Sequence, residues 1–300
     1  MFYDVTIAIG PTPTSINPIC SLIAATDVEL YYTMWSCDVD GQPITNPCST
    51  QWTGLNCTNT TDIGIITSIS LDAVGINGTI PSNIGQLTSL RELYLNNNTL
   101  TGSIPRNLFN LLNLITINLD RNKFTGIIPT NINKLNILQV LSMQHCDLVG
   151  PIPSTISGLT NLSQLHLAGN RLINNIPPEI NDLIHLISIK LNNNFLSGMM
   201  PSTLSNLNQL TLLSLGMNKL TGTIPTAIST LSRLVTLSIY NNCISGTIPS
   251  ALNNLSYLEK LSLQKNELTG SLPSSLGDLS NLEYLLVGTN HLTGTIPMRW

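Results

Sequence analysis

The sequence predicts an α/β solenoid in which ten repeats of 24 residues stack around one core, with a parallel β-sheet along one face. The main observation is a proline, preceded by Ile, Leu or Met, that recurs every 24 residues without a slip. It stands at positions 81, 105, 129, 153, 177, 201, 225, 249, 273 and 297. The second observation is a Leu-x-Leu pattern within the repeats, such as Leu93 and Leu95, whose period of two residues is typical of a short strand. Ten such strands at about 4.8 Å spacing give a sheet about 48 Å long before curvature.

An asparagine follows the predicted strand in most repeats, at positions 98, 122, 170, 194, 218, 242, 266 and 290. Because a buried amide is costly without partners, we expect these side chains to hydrogen-bond the backbone of neighbouring turns. Val74 and Cys146 interrupt this column. Val74 fits an atypical first repeat, and Cys146 is a replacement that this kind of repeat allows. The glycine four residues further on predicts a sharp turn, and Asn174, which replaces it in the fifth repeat, predicts a local distortion.

These residues, and above all the Leu-x-Gly-x-Ile-Pro segment, resemble the plant-type leucine-rich repeat, whose motif is LxxLxLxxNxLxGxIPxxLGxLxx. The resemblance covers residues 64–300, about four-fifths of the chain. It implies a right-handed leucine-rich-repeat solenoid with the parallel β-sheet on the concave face, short second strands near Gly-x-Ile-Pro, and 3₁₀ turns on an irregular convex side. We therefore expect an N-terminal cap over residues 1–62 and a solenoid over residues 63–300 that lacks its C-terminal cap.

The cap contains no repeat, and two of its segments carry structural signals. The segment from Thr26 to Glu29 is typical of a capping box that opens a helix, with apolar residues from Leu30 to Trp35 along one side. An uncapped solenoid would expose its end strand and its core, so a folded cap is physically required.

The cap cysteines resemble those of plant-type ectodomains. The run from Cys48 to Cys57, with Trp52 inside it, matches their C-x₃-W-x-G-x₂-C signature. This resemblance implies a Cys48–Cys57 disulfide and a Trp52 side chain packed over the first repeat. A second bridge between Cys20 and Cys37 is also expected.

The two remaining cysteines cannot pair, because Cys146 and Cys243 lie four repeats, about 19 Å, apart along the axis. Cys146 is expected to be a buried thiol, and Cys243 to lie partly exposed in a turn. His145 and His166 fall on adjacent repeats of the concave face, about 11 Å apart at the backbone. They are therefore expected to be solvated histidines rather than ligands of one metal ion.

Composition disfavours several classes of function. Charged residues make up only 9% of the chain, against about 25% in ordinary domains, and the net charge is −4. Without a basic cluster, binding of nucleic acid through its phosphates is not expected. No apolar run approaches the ~20 residues of a membrane span. No zinc-ligand spacing, phosphate-binding glycine loop or nucleophile elbow occurs, so the sequence predicts no cofactor and no enzymatic activity.

The cap cysteines favour an extracellular or cell-surface protein. Six Asn-x-Ser/Thr sequons occur in the chain, and four of them are expected to carry glycans. These four are Asn59, Asn77, Asn161 and Asn254. A glycan on a fifth, Asn97, would block part of the concave face. Residues 1–19 lack the features of a signal peptide, so we expect the signal to be encoded upstream of this sequence or to have been removed from it, and cytosolic residence is the remaining alternative.

The candidate ligand-binding residues flank the inward leucines and are expected to point to the concave face. The set is Arg91, Glu92, Tyr94, Asn96, Asp120, Arg121, Gln144, His145, His166, Lys190, Tyr240, Lys260 and Tyr284, with Met217, Gln264 and Lys265 as further members. Arg and Tyr are enriched at binding hot spots, so Tyr94 with Arg91 and Arg121 is the favoured contact patch.

The resemblance implies a recognition module that binds a protein, a peptide or a cell-wall glycan, as receptor ectodomains and inhibitors of polygalacturonases do. The alternative is the outer part of a membrane receptor kinase whose span and kinase domain are not in this chain. A third class, a surface coat or an ice-binding protein, would need a regular hydroxyl array. Thr79, Thr223, Thr247 and Thr295 share one column, but other residues interrupt it.

Overall fold

A computed structural model of the chain describes residues 17–26, 37–38, 40, 42–43, 45, 47–48, 52–58 and 65–296. Its only α-helix within these residues is α1 (Pro18–Thr26). In chain order the strands are β1 (Leu55–Cys57), β2 (Ile66–Ser70), β3 (Asn77–Gly78), β4 (Glu92–Tyr94), β5 (Thr99–Leu100), β6 (Thr116–Asn118), β7 (Val140–Ser142), β8 (Val149–Pro151), β9 (Gln164–His166), β10 (Arg171–Ile173), β11 (Ser188–Lys190), β12 (Ser197–Met199), β13 (Leu212–Ser214), β14 (Lys219–Thr221), β15 (Thr236–Ser238), β16 (Ser245–Thr247), β17 (Lys260–Ser262), β18 (Glu267–Gly270), β19 (Tyr284–Leu286) and β20 (His291–Leu292).

One long sheet contains a strand from every repeat, in the order β1-β2-β4-β6-β7-β9-β11-β13-β15-β17-β19. Strand β1 belongs to the cap and pairs antiparallel with β2, whereas all later pairs are parallel. Each residue pairs with the residue 24 positions later, as Glu92 does with Thr116. The register of the sheet therefore equals the sequence period, and the predicted solenoid with its parallel sheet is confirmed.

Short second strands follow the asparagine column in most repeats, as the resemblance implied. Their register is two residues shorter than the repeat, so that Thr247 pairs with Thr269 and Ser245 with Glu267. After each pair of this type from Ile80-Pro81 to Leu272-Pro273 the chain makes a 3₁₀ turn, and the extended proline at the N-cap sets its start. These turns are Ser82–Gln86, Arg106–Asn110, Thr130–Lys134, Ser154–Gly158, Pro178–Asp182, Ser202–Asn206, Thr226–Thr230, Ser250–Asn254 and Ser274–Asp278.

The column of asparagines forms a hydrogen-bonded ladder through the core, as predicted. In Asn194, for example, Oδ1 accepts from the backbone N–H of Leu172 at 3.0 Å. Its Nδ2 donates to the carbonyls of Leu167 at 3.0 Å and Leu191 at 3.1 Å. Each asparagine thus satisfies backbone groups of its own repeat and of the preceding one, which ties neighbouring repeats together.

Cys146 replaces the asparagine in the fourth repeat and makes weaker hydrogen bonds than the other members of the ladder. Its Sγ lies 3.5 Å from the Leu119 carbonyl and 3.6 Å from that of Gln144, both weak contacts for a thiol. Burial raises the pKa of this thiol to about 11, so it stays protonated and unreactive. Cys146 is buried and Cys243 is exposed, as the sequence suggested.

We expect Cys146→Asn to raise the free energy of unfolding by about 1–2 kcal/mol, because an amide makes stronger hydrogen bonds to the backbone than a thiol does. By analogy with Asn194, it would donate to Leu119 and accept from the N–H of Phe124. The measurement is the guanidinium unfolding midpoint. The matched control is Cys243→Asn, an exposed substitution expected to change stability by less than about 0.5 kcal/mol. A lower midpoint for Cys146→Asn would contradict the ladder account.

The turn predicted to be distorted is regular. Asn174 adopts φ 65°, in the left-handed region that the glycines of this column occupy at φ of about 75°. Its carbonyl accepts from the N–H of Ser197 at 2.9 Å, the same bond that Gly78 makes with Thr101. The prediction of a distortion was wrong because asparagine tolerates the left-handed conformation better than other side chains do.

In the cap, the predicted start of a helix at Thr26 is wrong, since Thr26 is the last residue of α1 and its hydroxyl donates to the Leu22 carbonyl. Helix α1 instead begins at Pro18, and the Asn17 side chain accepts from the N–H of Ile19 at 3.0 Å. An asparagine followed by proline at the first helical position was the signal for this helix. The predicted helix beyond residue 26 lies outside the described residues.

Both expected disulfides, Cys20–Cys37 and Cys48–Cys57, join segments of the cap in the structure. Trp52 is 1% exposed and belongs to the same continuous core as the first repeats. Its Nε1 donates to Thr45 Oγ1 at 2.9 Å. The cap therefore covers the end of the solenoid core.

Candidate functional site

The concave face is the solvent side of the long sheet. In most parallel strands the middle residue is buried in the core, while the first and third residues point to solvent. The second and third residues after each strand, such as Asn96 and Asn97, extend this surface. In every repeat the third residue after the strand, such as Asn97, Arg121 or His145, has a positive φ between 52° and 70°. This strained column was missed by sequence reasoning because residues of unrelated types occupy it.

The N-terminal half of the concave face contains a bonded polar network around Asp120. Its carboxylate accepts from the hydroxyl of Ser142 at 2.7 Å, from the N–H of Gln144 at 2.6 Å and from Gln144 Nε2 at 2.9 Å. Asp120 and Gln144, both predicted ligand residues, therefore lie together on neighbouring repeats. Their mutual bonds fix the side chains in place, so less side-chain conformational entropy is lost when a ligand binds.

His166 lies next to this network but is not solvated, so that prediction was wrong. The side chain is 9% exposed, and its Nε2 lies 2.9 Å from Ser188 Oγ. Burial lowers the pKa of His166 to about 4, and the charge of Lys190 acts in the same direction, while Asp120 opposes it. The imidazole is therefore neutral near pH 7. Its neighbour strands cause this burial, which the spacing of histidines along the sequence could not reveal.

This pKa predicts a pH dependence of stability. Between the ordinary value of 6.5 and about 4, the unfolded chain binds the His166 proton and the folded chain does not. The stabilisation is thus fully present above pH 6.5 and is lost as the pH falls through this window. We expect the wild-type protein to lose more stability than His166→Gln when urea unfolding is measured at pH 7 and at pH 5. Equal losses of stability in the wild type and in His166→Gln would show that the pH dependence does not come from His166.

The favoured patch of Arg91, Tyr94 and Arg121 is accessible but not assembled by contacts. Both arginines are exposed and Tyr94 is half-buried. No hydrogen bond or ion pair joins the three among the residues that the structure describes. His145, also exposed, lies over Gly169, where a Cβ would be 2.4 Å from the imidazole Nδ1. The remaining N-terminal candidates, Glu92, Asn96 and Lys190, are half-buried along the same face.

The C-terminal half of the concave face is arranged differently. Lys260 and Tyr284, first residues of β17 and β19, are exposed and pair across the sheet. The Tyr240 ring lies against Gly216, where a Cβ would be 2.4 Å from its Cδ1. Met217 and Lys265 belong to the column with positive φ. Exposed lysines and tyrosines therefore stand here in place of the polar network around Asp120.

Other expected features have defined places. The sequon asparagines Asn77, Asn161 and Asn254 are exposed, and Asn59 lies outside the described residues. Among the described residues, no group of three His, Cys, Asp or Glu side chains could hold a metal ion. No helix in the described part of the chain has the length and apolar character needed to cross a membrane.

A second regular surface lies on the short strands of the C-terminal repeats, and we refer to it as the hydroxyl face. Its accessible threonines and serines come from β14, β16, β18 and the residues that follow the second strands. Their pairing places Thr223 beside Ser245 and Thr247 beside Thr269. The members are Thr221, Thr223, Ser245, Thr247, Thr269, Ser271, Thr293 and Thr295.

Sequence profiles identify the repeats. One, described as leucine rich repeat, matches residues 88–148 and 232–292. A second leucine rich repeat profile matches residues 138–159, 161–183 and 209–231. The chain belongs to the leucine-rich repeat family, and its matched relatives are plant receptor-like proteins. The leucine-rich repeat protein FLOR 1 of Arabidopsis thaliana is 42% identical over 72 residues, which is 23% of this chain and 20% of the relative.

Solved plant ectodomains share the fold. The ectodomain of the Arabidopsis thaliana membrane receptor kinase GASSHO1/SCHENGEN3, in complex with CASPARIAN STRIP INTEGRITY FACTOR 2, superposes with TM-score 0.83 and 38% identity, over 87% of this chain and 31% of that one. The Arabidopsis receptor kinase HAESA, with the peptide hormone IDA and the co-receptor SERK1, gives TM-score 0.81 and 31% identity, over 94% and 47%. The chain thus spans less than half of these receptor chains.

A plant ice-binding protein has the same architecture at nearly the same length. It superposes with TM-score 0.73 and 26% identity, over 94% of this chain and 90% of that one. The leucine-rich repeat scaffold is therefore shared by proteins with unrelated partners, and the surface residues must decide the function.

Proposed function

We propose that this chain is a non-enzymatic recognition module that binds a peptide or protein ligand on its concave face. The observation that carries the proposal is a row of ten parallel strands whose outward side chains vary while the backbone beneath them is tied by the asparagine ladder. Such a surface is preorganised, so little conformational entropy is lost when a ligand binds. The receptor ectodomains that share the fold are complexes with a peptide hormone or a named protein factor, which supports this class of ligand.

The candidate contact residues remain those named above, from Arg91 to Tyr284, except His166, which is buried. A cell-wall glycan is the less favoured ligand, because the relatives with described ligands are complexes with peptides or proteins. The division into a cap, residues 1–62, and a solenoid, residues 63–300, is part of the same proposal.

Binding to peptides tests this function. Peptides selected from a random displayed library against the folded chain should bind the wild type. Their affinity should fall about tenfold or more in at least one of Tyr94→Ala, Lys190→Ala and Tyr284→Ala. The control is Tyr257→Ala, an equally large aromatic side chain that is 63% exposed and follows the 3₁₀ turn Ser250–Asn254, away from the concave face. Peptides that respond only to Tyr257→Ala would contradict the proposal.

We infer that the protein works outside the cell or at its surface. Two disulfides in the cap, the exposed sequon asparagines and the receptor relatives support this location. Mass spectrometry of the protein purified from its source should find glycans on Asn59, Asn77, Asn161 or Asn254. Free cap thiols and unmodified sequons would favour cytosolic residence. Reading the full transcript decides whether a membrane span and a kinase domain accompany this ligand-binding part.

A second candidate function, ice binding, is favoured by the hydroxyl face together with the near full-length likeness to a plant ice-binding protein. Strands about 4.8 Å apart would hold its threonine and serine hydroxyls in a repeating array. Thermal hysteresis measured on the purified protein tests it directly. Activity that disappears in Thr247→Tyr would support ice binding, and no hysteresis in the wild type would exclude it.

A further inference from the structure

Five exposed apolar side chains form a contiguous patch on the side of the solenoid that carries the short second strands. We refer to it as the apolar patch, and it lies in the third to sixth repeats, next to the hydroxyl face. Its members are Ile127, 47% exposed, Val149, 40%, Ile173, 44%, Phe195, 47%, and Met199, 69%. Large apolar side chains that are exposed as a group, rather than singly, mark a contact surface.

The pairing of the second strands brings these side chains together. Strand β8 pairs with β10, which places Ile173 beside Pro151, and a further bridge links this pair of strands to β12. Ile127 packs over Gly150 of β8, where a Cβ would be 2.8 Å from its Cγ2, and Met199 packs in the same way over the glycine that follows β14. The patch is therefore a fixed surface of the fold rather than a set of free side chains.

An ion pair lies at the border of the apolar patch, near its middle. Arg171 Nη2 donates to Asp147 Oδ1 at 2.7 Å, and the two side chains remain 63% and 42% exposed. The acid belongs to the fourth repeat and the base to the fifth. Apolar members of the patch lie on both sides of this boundary, in the third and fourth repeats and in the fifth and sixth. The patch is therefore nearly symmetrical about the boundary, except in the sign of its charges.

A second copy of the chain matches this pattern when it is rotated by half a turn about an axis that runs along the boundary. The repeat order of the partner is then reversed, so that each fourth repeat faces a fifth. In this arrangement Asp147 faces the partner's Arg171, and Val149 faces the partner's Ile173. Because both contacts recur on the other side of the axis, each charge of the ion pair meets an opposite charge.

The third repeat then faces the sixth, where the surface has a hollow. This hollow has a volume of about 520 Å³ and lies beside Met199, with Ile176, Pro178 and Pro201 in its walls. The partner's Ile127 comes from the facing repeat, and its aliphatic side chain suits such walls. Removal of these apolar side chains from water favours association of the two copies.

We propose that two copies of this chain form a twofold dimer through the apolar patch, with the ion pairs of Asp147 and Arg171 at its centre. The inference goes beyond the proposed function, because the patch lies on the second-strand side and the concave face stays open in both copies. The exposed sequons Asn161 and Asn254 lie at or after convex 3₁₀ turns, so glycans on them would leave the patch uncovered. Such a dimer presents two ligand-binding faces at once.

The dimer is expected to be weak. The four repeats of the patch span about 19 Å at about 4.8 Å per strand, which is short for the interface of a permanent dimer. Sedimentation equilibrium of the purified, disulfide-bonded chain should therefore find dimers at about 100 µM and monomers at about 1 µM. A wild-type chain that stays monomeric at the higher concentration overturns the proposal.

Ile173→Lys places a charge near the centre of the patch, and we expect it to raise the dissociation constant of the dimer about tenfold or more. The matched control is Ile184→Lys, because Ile184 is a similar isoleucine, 55% exposed, that follows the convex turn Pro178–Asp182. The control should dimerise as the wild type does. If Ile173→Lys dimerises as well as the control, the interface lies elsewhere and the proposal fails.

A mixing experiment tests the reversed repeat order. Asp147→Arg and Arg171→Asp each bring like charges together across the axis, so each variant alone should dimerise about tenfold more weakly than the wild type. An equal mixture of the two variants restores opposite charges across the axis and should form heterodimers with about the wild-type affinity, although neither chain regains its own ion pair. A mixture that associates no better than the separate variants would overturn this dimer.

Discussion

Asn194→Ala is expected to lower the free energy of unfolding by about 3 kcal/mol, the effect of leaving buried backbone groups without partners. The wild-type side chain satisfies the N–H of Leu172 and the carbonyls of Leu167 and Leu191. Alanine can replace none of these bonds, and water has no access to the interior column. Chemical denaturation measures the loss, provided that the transition remains a single step.

The same variant should have a local signature. In a solenoid each repeat contacts only its neighbours, so faster amide exchange should appear in the repeats around Leu172 and spread little further. The control is Asn208→Ala, an exposed asparagine expected to change stability by less than about 0.5 kcal/mol. If Asn194→Ala costs less than about 1 kcal/mol, the asparagine ladder is not what holds the repeats together.

Trp52→Ala is expected to cost about 3–5 kcal/mol, because it removes the largest fully buried side chain of the cap and leaves a cavity over the first repeat. The loss should be seen in thermal unfolding and in faster amide exchange of β2. Trp52→Phe is the matched comparison, since it retains most of the apolar area and loses the hydrogen bond to Thr45. It should cost less than half as much. Equal effects of Ala and Phe would mean that the cap is not anchored by packing of this side chain.

Much of the fold could be predicted because the residues that determine it recur every 24 positions. The proline period gives the register of the sheet, and the column of Asn98 and its equivalents predicts a buried amide ladder. Each of these residues acts on its own backbone and on that of an identical neighbour, so one repeat explains the others. Helix α1 was missed because it occurs once and its signal, Asn17 followed by Pro18, is short.

The concave face was less predictable, because its properties depend on contacts between repeats that differ. The placement of Asp120 and Gln144 on the face follows from the strand period, but their bonds to Ser142 depend on side-chain rotamers. The burial of His166 depends on its neighbouring strands. The Tyr240 ring lies where a Cβ on residue 216 would clash with it, so its position depends on Gly216 of the preceding repeat. Contacts between particular side chains of neighbouring repeats leave no periodic pattern in the sequence.

The most direct test of a ligand-binding concave face is photo-crosslinking of a selected peptide, followed by mass spectrometry of the labelled residues. The account predicts labels at accessible strand positions, such as Lys190, Lys260 and Tyr284, that disappear when unlabelled peptide is added in excess. Labels confined to the hydroxyl face or to the convex 3₁₀ turns would contradict recognition through the concave face.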